Sequence, residues 1–337
     1  MNGLLVYALK RLALLPVMMF LLVTCAFFLT ELIPGDPAYL ILGEFASDQD
    51  VQELRAELGL DQPLWQRYID YTAGVFRGDL GSSLMTGASV SGELLRRLPA
   101  SFVIIIPALL LAVGMGTMMG SIAGYFRRRP LGRLANVGVS VTQGIPPFFL
   151  GIVLIFLLVF TVRVLPPPVG MVDSAISYPP SVTGILVIDA LITWSPAVLA
   201  SIAGHAVLPV LSVGIFVSAY FGKTVRSAMT QALATPQIEF ARACGLPERQ
   251  VVRYALLSAR TGVLTYTAIM FGVLLSSTAI IELVFAWPGS GEWALDGVLN
   301  GDLPVIQGFV VVTGLLVIIG YLVVDVLIAL LDPRINY

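Results

Sequence analysis

Histidine, cysteine and charge are all scarce in this chain. It has one histidine, His205, and two cysteines, Cys25 and Cys244. So few nitrogen and sulfur ligands give no metal-ligand spacing, and no metal site is expected. Cys25 falls in the first apolar run and Cys244 in a polar loop of the second half, on different sides of a span boundary, so a disulfide between them is not expected. No Ser/His/Asp or Cys/His grouping with motif-like spacing occurs, which leaves covalent catalysis without a nucleophile and its base. Charged residues make up 12% of the 337, against about 25% in an ordinary soluble domain. A formal net charge of −2 supplies no basic surplus for a phosphate backbone, so no nucleic-acid partner is expected. Gly222-Lys223-Thr224 ends like a phosphate-binding loop, but Val217 stands where the earlier glycine is required, and no strand precedes it. Nucleotide binding by this chain is not expected.

What is abundant is apolar sequence: 57% of residues, with a mean hydropathy of +0.91. This is the composition of an all-α integral membrane protein. Six apolar runs are long enough to cross a bilayer, at about 12–30, 101–126, 134–162, 205–227, 262–283 and 305–331. The first is preceded by Lys10 and Arg11 and lacks a small-residue cleavage site, so it is expected to remain as an anchor spanning residues 1–32. The second carries Gly116, Gly120 and Gly124 at four-residue spacing, a stripe that lets a neighbouring backbone approach closely. The third contains Gly144-Ile145-Pro146-Pro147 and the fourth Pro209, so both are expected to bend. A seventh apolar run, 182–204, holds Asp189 and Trp194-Ser195-Pro196. A central Asp costs roughly 2.5–3.5 kcal/mol in a span, so this run is expected to lie as a helix at the outer interface within an extracytoplasmic segment, 163–204.

The longest polar stretch, 33–99, is expected to be a small extracytoplasmic helical cap. It opens with the rigid turn Ile33-Pro34-Gly35-Asp36-Pro37. Ser47-Asp48-Gln49-Asp50 should cap a helix with an apolar face of Val51, Leu54 and Leu58, ended by Gly59. A second helix is expected from Asp61-Gln62-Pro63 to about Gly78, carrying Leu64, Trp65, Tyr68, Ile69 and Phe76. Charge asymmetry orients the chain. Arg127, Arg128, Arg129 and Arg133 lie in one loop, and Lys223, Arg226, Arg242, Arg249, Arg253 and Arg260 flank another, whereas 284–304 has no Lys or Arg. The basic loops belong in the cytoplasm, which places both termini there. Arg96 and Arg97 depart from that rule at the foot of the second span.

Between the fourth and fifth spans lies a polar loop, 228–261, with two short helical patterns joined at Gly245-Leu246-Pro247. Pro247 suits the opening turn of the second pattern, and Gly245 suits a helix end that must reverse direction. Glu239-Phe240-Ala241-Arg242-Ala243-Cys244-Gly245-Leu246 resembles the coupling loop of ABC importer permeases, with Cys244 and Gly262 as departures from the usual residues. The opening Ile33-Pro34-Gly35-Asp36-Pro37, the cap motifs Leu58-Gly59-Leu60-Asp61-Gln62-Pro63-Leu64-Trp65 and Arg77-Gly78-Asp79-Leu80-Gly81-x-Ser83, and the closing motifs Phe285-x-Trp287-Pro288-Gly289-x-Gly291, Asp302-x-Pro304-Val305-x-Gln307-Gly308 and Leu330-Leu331-Asp332-Pro333-Arg334 are similar to the peptide/nickel branch of that family. Together they extend the resemblance over nearly the whole chain.

The resemblance implies a six-helix permease of the type I importer fold, with residues 100–337 as a five-helix core. It implies a bacterial or archaeal cytoplasmic-membrane subunit of an ATP-driven importer, with di- or oligopeptides as the best-fitting cargo. It also implies as partners a second, similar permease, two ATPase subunits that bind ATP and Mg, and an extracytoplasmic substrate-binding protein; the chain itself would hold no cofactor. In the loop, Glu239 and Arg242 would make polar contacts to the ATPase, Gly245 would set the elbow, Phe240 or Leu246 would anchor it, and Ala241 and Ala243 complete the motif. Gln143, Pro146, Glu282 and Asp325 are candidates for the pathway, because intramembrane polar groups and helix breaks mark such paths. Glu282 is expected near the outer end of its helix, snorkelling or paired with a partner subunit, and His205 at the outer start of the fourth span. The competing reading is a self-sufficient, ion-driven secondary transporter, which would use Glu282 and Asp325 but would favour an internal repeat that the sequence does not show. A pathway-free anchor subunit is the third.

Overall fold

A computed structural model describes residues 2–32, 37–43 and 46–331. The turn expected at 33–36 and the motif residues 332–334 lie outside them. Among the described residues, four helices are long and apolar enough to cross a membrane: α1 (Asn2–Glu31), α5 (Val90–Tyr125), α9 (Pro196–Ala232) and α15 (Leu303–Leu331). Two bent pairs raise the number to six. One joins α6 (Pro130–Gly144) to α7 (Pro147–Ile155), which runs on as a π-helical turn, Phe156–Thr161. The other joins α11 (Glu248–Leu257) to α12 (Arg260–Ser277). No named strand occurs among the described residues.

At 1.5 Å per residue, α5 and α9 are each about 55 Å long, well beyond a hydrocarbon core of about 30 Å. They form the most extensive helix–helix interface of the molecule. Close approach is what allows it: a Cβ placed on Gly116 would lie 2.6 Å from the Ser218 carbonyl oxygen, and one on Gly120 would lie 2.5 Å from that of Gly222. Around this pair, Ile104, Ile105, Phe221, Leu275, Ile281, Phe285 and Trp287 form the buried core. α1 and α15 pack together at the edge, with Val23, Leu94, Val305 and Val311 between them and the start of α5.

The third run is not one straight span. Ile145 is extended, as a residue before proline must be, and Pro146 adopts φ −58°, ψ 141°, so α6 stops at Gly144. α7 restarts on Pro147 at 96° to α6. Pro209, by contrast, stays inside an unbroken α9.

The 182–204 run is not an interfacial helix of its own length either. A short helix, α8 (Leu186–Ile192), is closed by Thr193 and followed by Trp194, whose φ is +46°, and Pro196 opens α9. His205 therefore sits nine residues inside α9 rather than at the start of a span. Its Nδ1 donates to the Ser201 carbonyl at 2.8 Å, and its buried Nε2 has no hydrogen-bond partner. Asp189 avoids an unpaired burial because the loop folds over it: the Thr183 amide and hydroxyl donate at 2.6 and 2.7 Å, and the Gly184 amide at 3.2 Å. The Thr183 hydroxyl is the main cause that holds this carboxyl below the ordinary carboxylate range, against the opposing pull of desolvation. A group with a lowered folded pKa stabilises above its unfolded value and loses that contribution as pH falls through the folded one. Hydrogen exchange at the Thr183 and Gly184 amides should thus show constant protection, corrected for intrinsic rate, from neutral pH down to about 4. Asp189→Asn should remove much of that protection at pH 7.

The polar stretch forms α2 (Pro37–Leu42), α3 (Asp48–Glu57) and α4 (Leu64–Phe76). The Ser47 hydroxyl accepts from the Asp50 amide, and Gly59 follows the helix at φ +68°, which are the two ends expected for α3. The exceptions to the charge rule, Arg96 and Arg97, lie on the first turns of α5. Arg97 is paired with Glu93 at 3.0 Å and Glu292 at 3.6 Å and rests over the Trp293 ring. Local acids, not the sidedness of the chain, answer those two charges.

Candidate coupling elbow and translocation face

The helix–turn–helix of the 228–261 loop is built by its own sequence. α10 (Pro236–Ala243) starts on a proline at its first position and ends at Cys244. Gly245 follows with φ +77°, its amide donating to the Arg242 carbonyl at 2.9 Å, and the Leu246 amide donates to the Ala241 carbonyl at 3.1 Å. This is the Schellman closure that left-handed residues provide. A Cβ on Gly245 would meet nothing within 4 Å. Backbone conformation, and not crowding, demands the glycine. Pro247 then leads into α11, which packs Ala255, flanked by Val252 and Leu256, onto Val225 and Met229 at the end of α9. The elbow is thereby keyed to the long helix that runs through the whole core.

Its polar residues are partly spoken for. Arg242 Nε donates to Glu248 Oε1 at 3.1 Å, and the Tyr125 hydroxyl at the end of α5 donates to Glu248 Oε2 at 2.9 Å. Those bonds, Tyr125 first and Arg242 second, hold the Glu248 carboxyl below its usual range. Glu239, Ala243 and Cys244 are exposed, and Leu246 is half-buried. Phe240 is 71% exposed. Beside it, Gln231, Thr235, Gln237, Ile238, Ala241, Tyr254 and Ser258 line an open groove of about 660 Å³. Glu248, which ties Arg242 to α5, is the residue that motif reading missed; its six-residue separation from Arg242 across a turn is not a helical spacing.

The four pathway candidates do not converge. Gln143 and Pro146 sit together at the α6/α7 break, where Lys223 of α9 donates to Gln143 Oε1. Arg226, one turn on, donates to Asn136. Asp325 is on α15, paired with Arg11 of α1 at 3.1 Å. Glu282 departs furthest from expectation. It lies on a short helix, α13 (Ala279–Val284), with no exposed surface, and neither snorkels nor awaits a partner subunit. It accepts from the Ser101 hydroxyl at 2.7 Å and from the Glu292 amide at 2.8 Å, the latter on α14 (Ser290–Leu299). Gly289 is pressed against its carboxyl group. Sequence-distant motifs meet in the same way at the other end of α14, where the Ser83 hydroxyl donates to Asp302 at 2.6 Å.

These features define a polytopic helical membrane protein that carries a rigid polar elbow on the ends of two of its helices. Among the described residues no cluster of three or more metal-ligating side chains occurs. Residues 116–337 match the profile described as "Binding-protein-dependent transport system inner membrane component", and residues 4–105 that of the N-terminal membrane component of such systems. The chain belongs to that family of transport permeases. It is 37% identical over 92% of its length to the probable D,D-dipeptide transport system permease protein DdpB of Escherichia coli (strain K12), covering 91% of that protein. It is 35% identical to the di/tripeptide permease DppB of Pseudomonas aeruginosa (strain UCBPP-PA14), over 97% and 98% of the two chains. To the glutathione permease GsiC of Escherichia coli (strain K12) it is 32% identical, over 98% and 99%. The family is the type I membrane permease component of ABC importers, multi-pass and not itself catalytic; ATP hydrolysis belongs to partner subunits.

Proposed function

We propose that the chain forms one half of the translocation pathway of an ATP-driven importer of short peptides in a bacterial inner membrane. Its partners are a second permease, two ATPase subunits that bind ATP and Mg, and an extracytoplasmic substrate-binding protein. Both termini and the elbow face the cytoplasm, and residues 33–99 form the cap on the other side. The observation that carries this reading is the elbow: a turn closed by its own backbone, keyed to α9, with the bare Phe240 ring beside an open groove. Glu239, Phe240, Ala241, Arg242, Ala243, Gly245 and Leu246 are the residues that meet the ATPase. ATP-driven closure of the ATPase pair displaces the elbow, and α9 and α12 carry the displacement to the α6/α7 break, where Gln143 and Pro146 line the path. Such coupling requires that the two pathway states differ in affinity for the driving subunit. The peptide cargo is supported by what the named relatives share: a dipeptide, a tripeptide and glutathione are all short peptides. The enclosure of Glu282 and the pairing of Asp325 with Arg11 favour this reading over the ion-driven alternative.

Two substitutions test the coupling. Gly245→Pro cannot adopt φ +77°, and Arg242→Glu sets like charges against Glu248. Each should reduce peptide uptake by the reconstituted transporter to background while the protein still inserts at normal level. In Arg242→Glu/Glu248→Arg the intramolecular pair is restored, so recovered elbow protection in hydrogen exchange without recovered uptake would locate the Arg242 role at the ATPase. Normal uptake in Gly245→Pro would remove the coupling assignment.

A further inference from the structure

α4 has three faces. Its inner face packs on α1: the Tyr68 hydroxyl shares a 2.7 Å hydrogen bond with Thr24, Phe27 meets the rings of Tyr68 and Tyr71, and Arg67 pairs with Glu31 at 2.6 Å. At 100° per residue, Arg67 and Asp70 fall on one flank, and both line a cleft of about 640 Å³ between α3, α4 and the start of α15. Trp65, Ile69 and Phe76 fall within about 40° of one another on the opposite flank. They are 65%, 53% and 57% exposed. A helix of a water-facing cap has no reason to segregate its polar and its bare apolar side chains to opposite flanks.

We infer that α4 lies in the outer membrane interface, with its Trp65/Ile69/Phe76 edge immersed among the acyl chains of phospholipids and its Arg67/Asp70 edge in the wet cleft. Depth is the second argument. Thr24 is seven residues below Glu31, about 10 Å along α1, so the Tyr68 bond draws α4 down beside the apolar part of a span. Continuity is the third. Phe28, which stacks on Tyr68, and Leu29 are exposed on that part of α1 and extend the same apolar surface. Trp65 has the amphipathic ring that settles at headgroup level. The consequence is mechanical: the cap is tied to the bilayer as well as to α1, and its cleft is held at a fixed height above the membrane.

The inference rests on the proposed topology only for the choice of leaflet. Its test is a spin label at Ile69→Cys, with Asp70→Cys as its neighbour, in a Cys25→Ser/Cys244→Ser background, since both native cysteines are exposed. The assembled transporter is placed in phospholipid nanodiscs and relaxed by oxygen or by a water-soluble nickel chelate. The label at 69 should respond several-fold more to oxygen than to the chelate, and the label at 70 the reverse. Phe76→Cys gives a second reading should the first variant fold poorly. Access of the chelate to 69 and 76 would make the edge a water-facing surface, and shielding from both reagents would assign it to a protein partner; either result overturns the inference. Because the readout is independent of uptake, failure of the importer assignment and failure of the immersed edge are separately visible.

Discussion

Gly120→Leu is expected to leave almost no monodisperse protein in detergent extracts, and Gly120→Ala to melt well below the wild type. The cause is the α5/α9 contact. A Cβ on Gly120 would sit 2.5 Å from the Gly222 carbonyl oxygen, 2.8 Å from Val225 Cβ and 3.1 Å from the Arg226 nitrogen. Two of those atoms are backbone and cannot swing aside, so the helices must part. Overpacking in a close-packed interior costs about 1–3 kcal/mol when neighbouring side chains can yield, and more is expected where they cannot. Separation would also spoil the contacts at Gly116 and Gly124, which obey the same geometry one turn on either side. Against a total stability of roughly 5–15 kcal/mol that is a large fraction. Gly114→Ala is the control, because a Cβ there meets nothing within 4 Å on the same helix. Equal melting of Gly114→Ala and Gly120→Ala, read by size-exclusion after heating, would show that the stripe is not what joins the two helices.

Glu282→Ala is expected to be the most damaging truncation of a polar side chain in the molecule. The carboxyl holds three elements together through Ser101 on α5, Glu292 on α14 and its own α13. The same knot includes the Ser290 amide on the Ser101 hydroxyl at 2.9 Å and the Trp287 indole on the Ala100 carbonyl at 2.9 Å. Removing the carboxyl leaves the part-buried Glu292 amide without its acceptor, at about 1–3 kcal/mol, leaves the Ser101 hydroxyl with only the Ser290 oxygen at 3.0 Å, and opens a cavity beside Gly289 and Gly291. Glu282→Gln should be far milder. Its carbonyl can take the Glu292 amide while its NH2 turns to Ser101, so the loss should not exceed about 1.5 kcal/mol, the value of one ordinary hydrogen bond. If the two variants melt alike, the carboxyl is not a brace, and a role in the pathway returns to consideration.

Both results bear on how far the chain could be read from its residues. Local signals were sufficient wherever one element decides its own fate. Ser47 and Gly59 mark the ends of α3, Gly245 the end of α10 and Pro247 the start of α11. The membrane class follows from apolar run length alone, because an unpaired backbone in lipid leaves the helix as the available form. The elbow follows from one glycine that must take a positive φ.

The tertiary structure decided the rest. An apolar run in a membrane protein carries no useful period, since its lipid-facing and protein-facing sides are both apolar. The prolines of the 134–162 run announce a bend in one span, but only the packed structure shows that the turn at Pro146 reaches 96°. For the same reason the start of α9 at Pro196 was hidden within the apolar stretch 182–204, whose Asp189 belongs to the separate helix α8 and is answered by the Thr183 loop. The motifs that carried the family resemblance acquire their physical meaning only in pairs that lie far apart in the chain. Ser83 is bonded to Asp302, and Ser101 and the 287–291 turn close on Glu282. By itself the sequence determined the helical class, the ends of the polar helices and the membrane habitat, because those depend on neighbours in the chain. Which acid pairs with one distant helix, as Asp325 does through Arg11, and which joins several elements, as Glu282 does, depends on neighbours in space, and that was decided by the fold.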